Sequence, residues 1–97
     1  MSYGVSMQLY THLEIQYQIA DKIKAIRKQQ KRTQKQMAAK ADVPLSTYAR
    51  IEQRGEGSLK DFAKILMALG RADEIDKILQ TQTETPMDVY ARIKAKR

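Results

Sequence analysis

The connection between two short predicted helices constrains this fold more than any other feature of the sequence. Thr33 is suited to cap a helix that runs through about Ala41. Pro44 presets the backbone of a first helical turn and needs no N–H partner there, so another helix is predicted from Pro44 to about Gln53. A connection this short holds the two helices together as one compact unit. The connecting residues are Asp42 and Val43.

The first helix of the chain is predicted to begin at a capping box and to run to about Gln30. Thr11 and Glu14 have the spacing at which each side chain accepts a hydrogen bond from the other residue's backbone N–H. Isoleucines then recur at helical spacing and predict the buried stripe of this helix. These residues are Ile15, Ile19, Ile23 and Ile26.

Two more helices are predicted from start and stop signals between residues 58 and 79. Ser58 is suited to cap the fourth helix, with Asp61 three residues on, and Gly70 ends it. A fifth helix follows from about Ala72 to Leu79. The apolar residues expected inside are Met37, Ala38 and Ala41 of the second helix, Leu59, Phe62, Ile65, Leu66 and Leu69 of the fourth, and Ile75, Ile78 and Leu79 of the fifth.

The two ends of the chain differ from this helical domain of residues 11–80. Apolar and polar side chains alternate before it, so residues 1–10 are predicted to form a short N-terminal arm. Because no partner strand follows, the arm is an extended segment, frayed coil, or half of a ribbon made with a second copy. Residues 81–97 are predicted to form a C-terminal helical tail capped by Thr85. The apolar side of the tail consists of Met87, Tyr90 and Ile93.

Positive charge is concentrated in one stretch of the chain. There are 18 Lys and Arg residues against 11 Asp and Glu, which gives a net charge of +7. Residues 21–40 hold eight basic residues against Asp21 alone, so this stretch carries a charge equal to the whole excess. A local excess is typical of a surface that meets a polyanion, and the alternative is a solvated basic face.

The residue types present exclude several classes of function. With no Cys, disulfide scaffolds, thiolate metal sites and cysteine nucleophiles are ruled out. His12 is the single histidine, and no acidic pair falls in an apolar pattern, so we expect no enzyme, no metal and no cofactor. The longest apolar run, residues 65–69, is far shorter than the ~20 residues of a membrane span, and residues 1–10 carry no Lys or Arg for a signal peptide. We therefore expect a cytoplasmic protein without membrane contact.

Short motifs stand at set places in the predicted helices. They are Arg27-Lys28, Thr33-Gln34, Met37-Ala38, the run from Ser46 to Glu52, and the ending Leu66, Ala68, Leu69 and Gly70. With these motifs, residues 19–79 resemble the Xre family of bacterial and phage repressors. The resemblance implies an all-α fold, a five-helix lambda-repressor-like helix-turn-helix domain, whose third helix enters the major groove of DNA.

The resemblance also implies which residues contact DNA. Gln34 would meet a phosphate with its side chain and backbone N–H, and the alternative is a plain exposed glutamine. Arg50 is suited to read guanine with two hydrogen bonds, and the alternatives are a pair with Glu52 or with a phosphate. The full set expected to contact DNA is Thr33, Gln34, Lys35, Pro44, Leu45, Ser46, Thr47, Ala49, Arg50, Gln53 and Arg54.

Three places depart from the family's pattern. Asp42 stands where a turn glycine is usual, and Pro44-Leu45 stands where a polar pair is usual. Leu45 touches a thymine methyl or is buried against the second helix. Tyr48 replaces an aliphatic residue and is expected to fill the core with its hydroxyl at the surface, rather than to contact DNA. Glu52 is predicted to tie the third helix to nearby backbone or to an arginine.

Motifs near the end of the chain narrow the resemblance. They are Gly55-x-Gly57-Ser58-Leu59-x-x-Phe62, Asp73-Glu74 and Thr85-Pro86-Met87-Asp88. They are similar to those of HipB-type antitoxins and regulators. That similarity implies a homodimer that binds a palindromic double-stranded DNA operator and represses its own operon, with a HipA-like Ser/Thr kinase toxin as partner. Met87, Tyr90 and Ile93 would bind this partner, or else dock on the fifth helix or the dimer mate. The alternatives are a stand-alone Xre-type regulator without a toxin and a non-DNA helical adaptor.

Overall fold

The computed structural model describes residues 11–80 and 85–96, and both parts are helical without a strand. The predicted N-terminal arm and most of the polar linker lie outside these residues. The helices are α1 (His12–Gln29), α2 (Gln34–Ala41), α3 (Leu45–Arg54), α4 (Leu59–Ala68), a 3₁₀ helix (Ala72–Lys77) and α5 (Pro86–Ala95). No helix in these two ranges is both long and apolar enough to cross a membrane.

The helices begin where short-range hydrogen bonds cap them. Capping boxes at Thr11, Thr33 and Thr85 satisfy backbone N–H groups that the first turn leaves unpaired. The Ser58 hydroxyl accepts from the backbone N–H of Asp61 at 3.0 Å. These starts confirm the predictions. Pro44 is a partial exception, because it is the N-cap of α3 with an extended backbone (ψ 147°) and not its first helical residue.

The turn between α2 and α3 depends on Asp42. This residue ends α2 in the left-handed conformation, with φ 59° and ψ 47°. Its backbone N–H donates to the carbonyl of Ala39 at 3.1 Å, and the N–H of Val43 donates to the carbonyl of Ala38 at 3.1 Å. A short polar side chain tolerates this conformation better than other non-glycine residues do. Asp42 therefore adopts the left-handed conformation for which a glycine is usual at this turn.

The core lies among α1 to α4. α1 packs on α3, and α2 packs on both α3 and α4. The predicted inner face of α2 is confirmed, since Met37, Ala38 and Ala41 are all buried. The three largest fully buried side chains are Met37, Tyr48 and Ile65.

Two of the predicted apolar stripes are only partly buried. Ile23 is buried and Ile26 half-buried, but Ile15 and Ile19 in the first half of α1 are exposed. Leu59, at the first position of α4, is 81% exposed. Periodicity identifies the apolar side of a helix, but another element must lie over that side to bury it.

The predicted fifth helix of the domain is a 3₁₀ helix that buries nothing. It packs on α4, and its segment leaves Ile75 47%, Ile78 53% and Leu79 89% exposed. The prediction of a buried α-helical face here is wrong. Three residues per turn place Ile75 and Ile78 one above the other, whereas an α-helix would have placed Leu79 beside them.

Candidate nucleic-acid interface

α3 has an outward face that is separate from its buried face. Tyr48, Ile51 and Glu52 are buried and fix the helix to the domain. On the opposite side lie four residues at positions i, i+3, i+4 and i+7, which share one face of a helix. We call these four residues the reading stripe. The reading stripe is Ser46, Ala49, Arg50 and Gln53, of which Ala49 is half-buried and the others are exposed.

The remaining predicted residues of α3 flank the reading stripe. Leu45 is 45% exposed, so burial against α2, one of the two alternatives, is not its position. Pro44 is exposed beside it at the start of the helix. Thr47 is half-buried and Arg54 exposed, and both lie toward one edge of the stripe.

The start of α2 is fastened to α3 through Gln34. The side-chain amide of Gln34 donates to Oε1 of Glu52 at 2.9 Å, so Gln34 is half-buried and not a plain exposed glutamine. The capping box of Thr33 occupies the backbone N–H groups of Thr33 and Gln36. The first-turn N–H groups of Gln34 and Lys35 remain at the positive end of the helix.

The carboxylate of Glu52 joins three helices. Nε and Nη2 of Arg27 donate to its two oxygens, each at 2.8 Å, from the end of α1. The Tyr48 hydroxyl donates to Oε2 at 2.8 Å, and Gln34 donates to Oε1. The third nitrogen of Arg27, Nη1, donates to the carbonyl of Arg32 at 2.8 Å and so fixes the loop before α2. The side chain of Glu52 is only 1% exposed.

These hydrogen bonds decide the ionisation of the cluster. Burial acts to raise the pKa of Glu52, but donors from Arg27, Gln34 and Tyr48 outweigh it and hold the pKa below its ordinary value. The hydrogen bond with Glu52 raises the pKa of Arg27. Burial, together with the bond to Glu52, raises the pKa of Tyr48. At neutral pH the ion pair is complete, and the charge of Arg27 is neutralised inside the protein.

Three expectations about this cluster are settled by its geometry. Glu52 does tie α3 to an arginine, and that arginine is Arg27. Arg50 takes no part, so a pair between Arg50 and Glu52 is not what the structure has. The expectation that the Tyr48 hydroxyl reaches the surface is wrong, because the residue is fully buried and the hydroxyl bonds Glu52.

The end of α3 is held against α1 by a contact that the sequence did not suggest. The Gln16 side-chain amide donates to the carbonyl of Gly55 at 3.2 Å. Gly55 has φ 68°, and a Cβ there would lie 2.3 Å from the backbone oxygen of Gln16. Only glycine fits both the conformation and the contact. Gln16 carries no periodic or capping signal that would distinguish it from other polar residues of α1.

Basic side chains surround the start of α2. Of the eight in residues 21–40, Arg27 is buried, and the others are exposed. Two of the exposed residues, Lys31 and Arg32, lie in the loop between α1 and α2, next to the first turn of α2, and Lys31 has φ 58°. The exposed basic residues are Lys22, Lys24, Lys28, Lys31, Arg32, Lys35 and Lys40.

Comparison with known proteins identifies the domain to which α2 and α3 belong. A family model described as helix-turn-helix matches residues 23–75, which is just over half of the chain. No curated protein and no solved structure matches. No cluster of three or more acidic, His or Cys side chains capable of holding a metal ion occurs within residues 11–80 and 85–96.

Proposed function

The chain belongs to the Xre-like helix-turn-helix family of DNA-binding regulators, and on that premise we propose that it is a sequence-specific transcriptional repressor. The observation that carries the proposal is the reading stripe of α3. Its three polar side chains are exposed on a helix whose other face is fixed by Tyr48, Ile51 and Glu52. A helix held in this way can enter the major groove without losing its place in the domain.

In this proposal the reading stripe and its flank select the base sequence. Arg50 donates two hydrogen bonds to the O6 and N7 atoms of a guanine, the commonest specific contact in the major groove. Ser46, Thr47 and Gln53 supply adaptable donors and acceptors, while Leu45 and Ala49 offer apolar contact to a thymine methyl. Pro44 and Arg54 lie at the two ends of the helix, where they meet the sugar-phosphate backbone.

The start of α2 positions the protein on a phosphate. The free N–H groups of Gln34 and Lys35, the Lys35 ammonium and the Thr33 cap lie at the positive end of α2, where an anion is stabilised. Since the Gln34 side chain is bonded to Glu52 of α3, the phosphate contact and the reading stripe move as one body. The exposed lysines around this point add attraction that is independent of sequence.

The operator is proposed to be a palindrome bound by a homodimer. A two-fold symmetric dimer places its two α3 helices in major grooves about 34 Å apart, so half-site centres should be ~10 bp apart or a multiple of this. Selection of duplexes from a random pool with the full chain would give the operator sequence. Protection of one asymmetric half-site in a footprint would contradict the dimer.

Variants on the selected operator separate reading from positioning. Arg50→Ala should cost ~1 to 3 kcal/mol of binding free energy and relax one base position. Lys35→Ala should weaken binding to all DNA sequences alike and reduce the slope of log affinity against log salt concentration by ~1. Lys60→Ala, an exposed lysine of α4, is the matched control and should change neither quantity. An unchanged ratio of specific to non-specific affinity in Arg50→Ala would contradict the role of Arg50.

We further infer that the repressor is a HipB-type antitoxin whose tail binds a HipA-like Ser/Thr kinase. The support is the apolar side of α5, where Met87 is 73% exposed and Tyr90 and Ile93 are also exposed. A ten-residue helix is marginal alone and gains from a surface that covers this side. Triple replacement of Met87, Tyr90 and Ile93 by Ser should abolish kinase capture and leave operator affinity unchanged. Full capture by this variant would contradict the role of α5, whereas no capture by the wild-type chain would leave a stand-alone regulator, the alternative function.

A further inference from the structure

A small apolar hollow lies between the first half of α1 and the loop that joins α3 to α4. It encloses about 260 Å³. Its lining includes Ile19 of α1, Gly55 and Gly57 of the loop, and Leu59 and Phe62 of α4. Leu59 is 81% exposed and Ile19 is 36% exposed, so the described chain leaves this hollow open.

Ile15 extends the hollow into an apolar patch that reaches toward the start of α1. It lies one turn before Ile19 on the same side of the helix and is 46% exposed. Tyr17 lies about 200° around the helix axis from either isoleucine, and it does not line the hollow. We call Ile15, Ile19 and Leu59, with the hollow between the last two, the α1–α4 patch.

The chain enters the described structure at one end of this patch. Thr11 caps α1 with an extended backbone, φ −99° and ψ 165°, and residues 1–10 precede it outside the described part. The helical rise places Ile15 about 6 Å and Ile19 about 12 Å along the axis from Thr11. An extended chain advances about 3.3 Å per residue, so about five residues before Thr11 are enough to cross the patch.

The residues before Thr11 match the patch in chemistry and in spacing. Val5, Met7 and Leu9 alternate with polar residues, so an extended segment carries all three on one side. Alternate residues of an extended chain are about 6.6 Å apart, close to the about 6 Å between residues one helical turn apart. No charged side chain occurs in residues 1–10, so this segment cannot neutralise phosphates as a DNA-binding arm would.

We propose that residues 5–9 of the N-terminal arm fold back along α1 of their own chain and cover the α1–α4 patch. Leu9, the nearest of the three apolar residues to the helix, packs at the Ile15 end. Met7 then enters the hollow and covers Leu59. The contact accounts for the periodicity of Ile15 and Leu59, which is that of interior residues although the described chain exposes both.

The short connection to Thr11 favours this chain's own arm over the arm of a second copy. A segment tethered a few residues from its site has an effective concentration in the millimolar range, which a separate chain reaches only in concentrated solution. The ribbon between two copies is therefore the weaker of the arrangements open to the arm. The proposal is independent of DNA binding, so its test is decided whether or not the proposed function holds.

Disulfide formation between introduced cysteines tests the contact in the full chain, which has no Cys of its own. A disulfide needs Cα atoms about 4.4 to 6.8 Å apart. Under the same oxidant, the double variant Met7→Cys/Leu59→Cys should form an intramolecular disulfide at least ~10-fold faster than Met7→Cys/Tyr17→Cys. Tyr17 is the matched control because it is 48% exposed and closer to the arm along the chain, so an undocked arm would reach it at least as readily.

A charge on the apolar side of the arm gives a second measurement on the Met7→Cys/Leu59→Cys background. Val5→Asp should slow the disulfide at least ~5-fold, because a side chain that is buried in the docked arm becomes charged. Ser6→Asp places the same charge on the polar side and should change the rate less than ~2-fold. Mass spectrometry and a non-reducing gel measure the intramolecular product and separate it from cross-linked dimers. Circular dichroism checks that each variant is folded.

Three outcomes would overturn the proposal. Equal rates for the Leu59 and Tyr17 pairs would mean that the arm has no preferred place on the domain. A disulfide that forms only between chains, with a yield that rises with protein concentration, would assign the patch to the arm of a second copy. Equal slowing by Val5→Asp and Ser6→Asp would show that the apolar side of the arm does not make the contact.

Discussion

Replacing Glu52 with glutamine should destabilise the domain far more than a neutral, isosteric change does at the surface. The glutamine keeps the shape of the side chain but has one acceptor oxygen and one donor amide. If the amide takes the place of Oε2, it faces the N–H of Arg27 Nε, and if it takes the place of Oε1, it faces the N–H of Nη2. In either orientation two donors meet, and the guanidinium is left without its counter-charge.

The magnitude follows from the burial of the pair. The side chain of Arg27 is 10% exposed and that of Glu52 is 1% exposed, so water cannot replace the lost partner. One charge-assisted hydrogen bond contributes about 1.5 to 3 kcal/mol. Breaking a buried ion pair on one side costs about 3 to 5 kcal/mol. We therefore expect Glu52→Gln to lower the free energy of unfolding by ~3 kcal/mol, a large part of the ~5 to 15 kcal/mol of a typical domain.

Urea unfolding of the full chain measures this loss as a shift in the midpoint at constant slope. Glu56→Gln, an exposed carboxylate beyond the end of α3, is the control and should change stability by less than ~0.5 kcal/mol. In the double variant Arg27→Met/Glu52→Gln, the loss of stability should be smaller than the sum of the two single-variant losses by at least ~1.5 kcal/mol, because either change alone already breaks the pair. Strict additivity, or a single-variant loss below ~1 kcal/mol, would refute the reasoning.

The same variant has a predicted pH dependence. The folded-state pKa of Glu52 lies below the unfolded value, so its contribution is fully present above the unfolded pKa of about 4.3 and is lost as the pH falls through the folded value. The stability gap between wild type and Glu52→Gln should thus be constant near neutral pH and shrink below about pH 4. A gap that widened toward acid would contradict the lowered pKa.

Substitutions at three further positions test other hydrogen bonds and turns of the structure, each by urea unfolding. Tyr48→Phe keeps the packing but removes a donor to Glu52, so it should cost ~1 to 2 kcal/mol, and no loss would deny the buried hydrogen bond. Gly55→Ala should lower the free energy of unfolding by more than ~1 kcal/mol, because the added Cβ would overlap the backbone oxygen of Gln16 at a residue in the left-handed conformation. An unchanged stability would mean that this loop relaxes freely. Asp42→Gly should leave stability within ~0.5 kcal/mol or raise it, whereas Asp42→Val should lower it by ~1 to 2 kcal/mol, and equal effects would contradict the left-handed turn.

The parts of the fold that were predictable depend on neighbouring residues in the chain. The caps at Thr11, Thr33, Ser58 and Thr85 follow from hydrogen bonds over three residues, which the sequence displays directly. The outward face of α3 was also predictable, since helical spacing separates it from the buried face. Helical spacing does not predict which bases or partner proteins contact these faces.

The parts that were not predictable depend on what lies over a helix. Leu59 and Ile75 belong to apolar stripes as clear as that of Met37, but the described chain leaves Leu59 81% and Ile75 47% exposed. The cluster at Glu52 needs donors from three helices, and sequence spacing does not say that Arg27, 25 residues away, is one of them. Gln16 was missed for the same reason, because its partner Gly55 is 39 residues away.

The division of α3 into two faces has a consequence for how this protein can change. Residues that hold the helix in place and residues that point outward are different residues of the same ten-residue segment. Exposed substitutions away from caps and buried networks change stability by no more than about 0.5 kcal/mol. Ser46, Arg50 and Gln53 can therefore be exchanged with little effect on folding. Under the proposed function, single exchanges on this face would change the DNA target of a protein that stays folded.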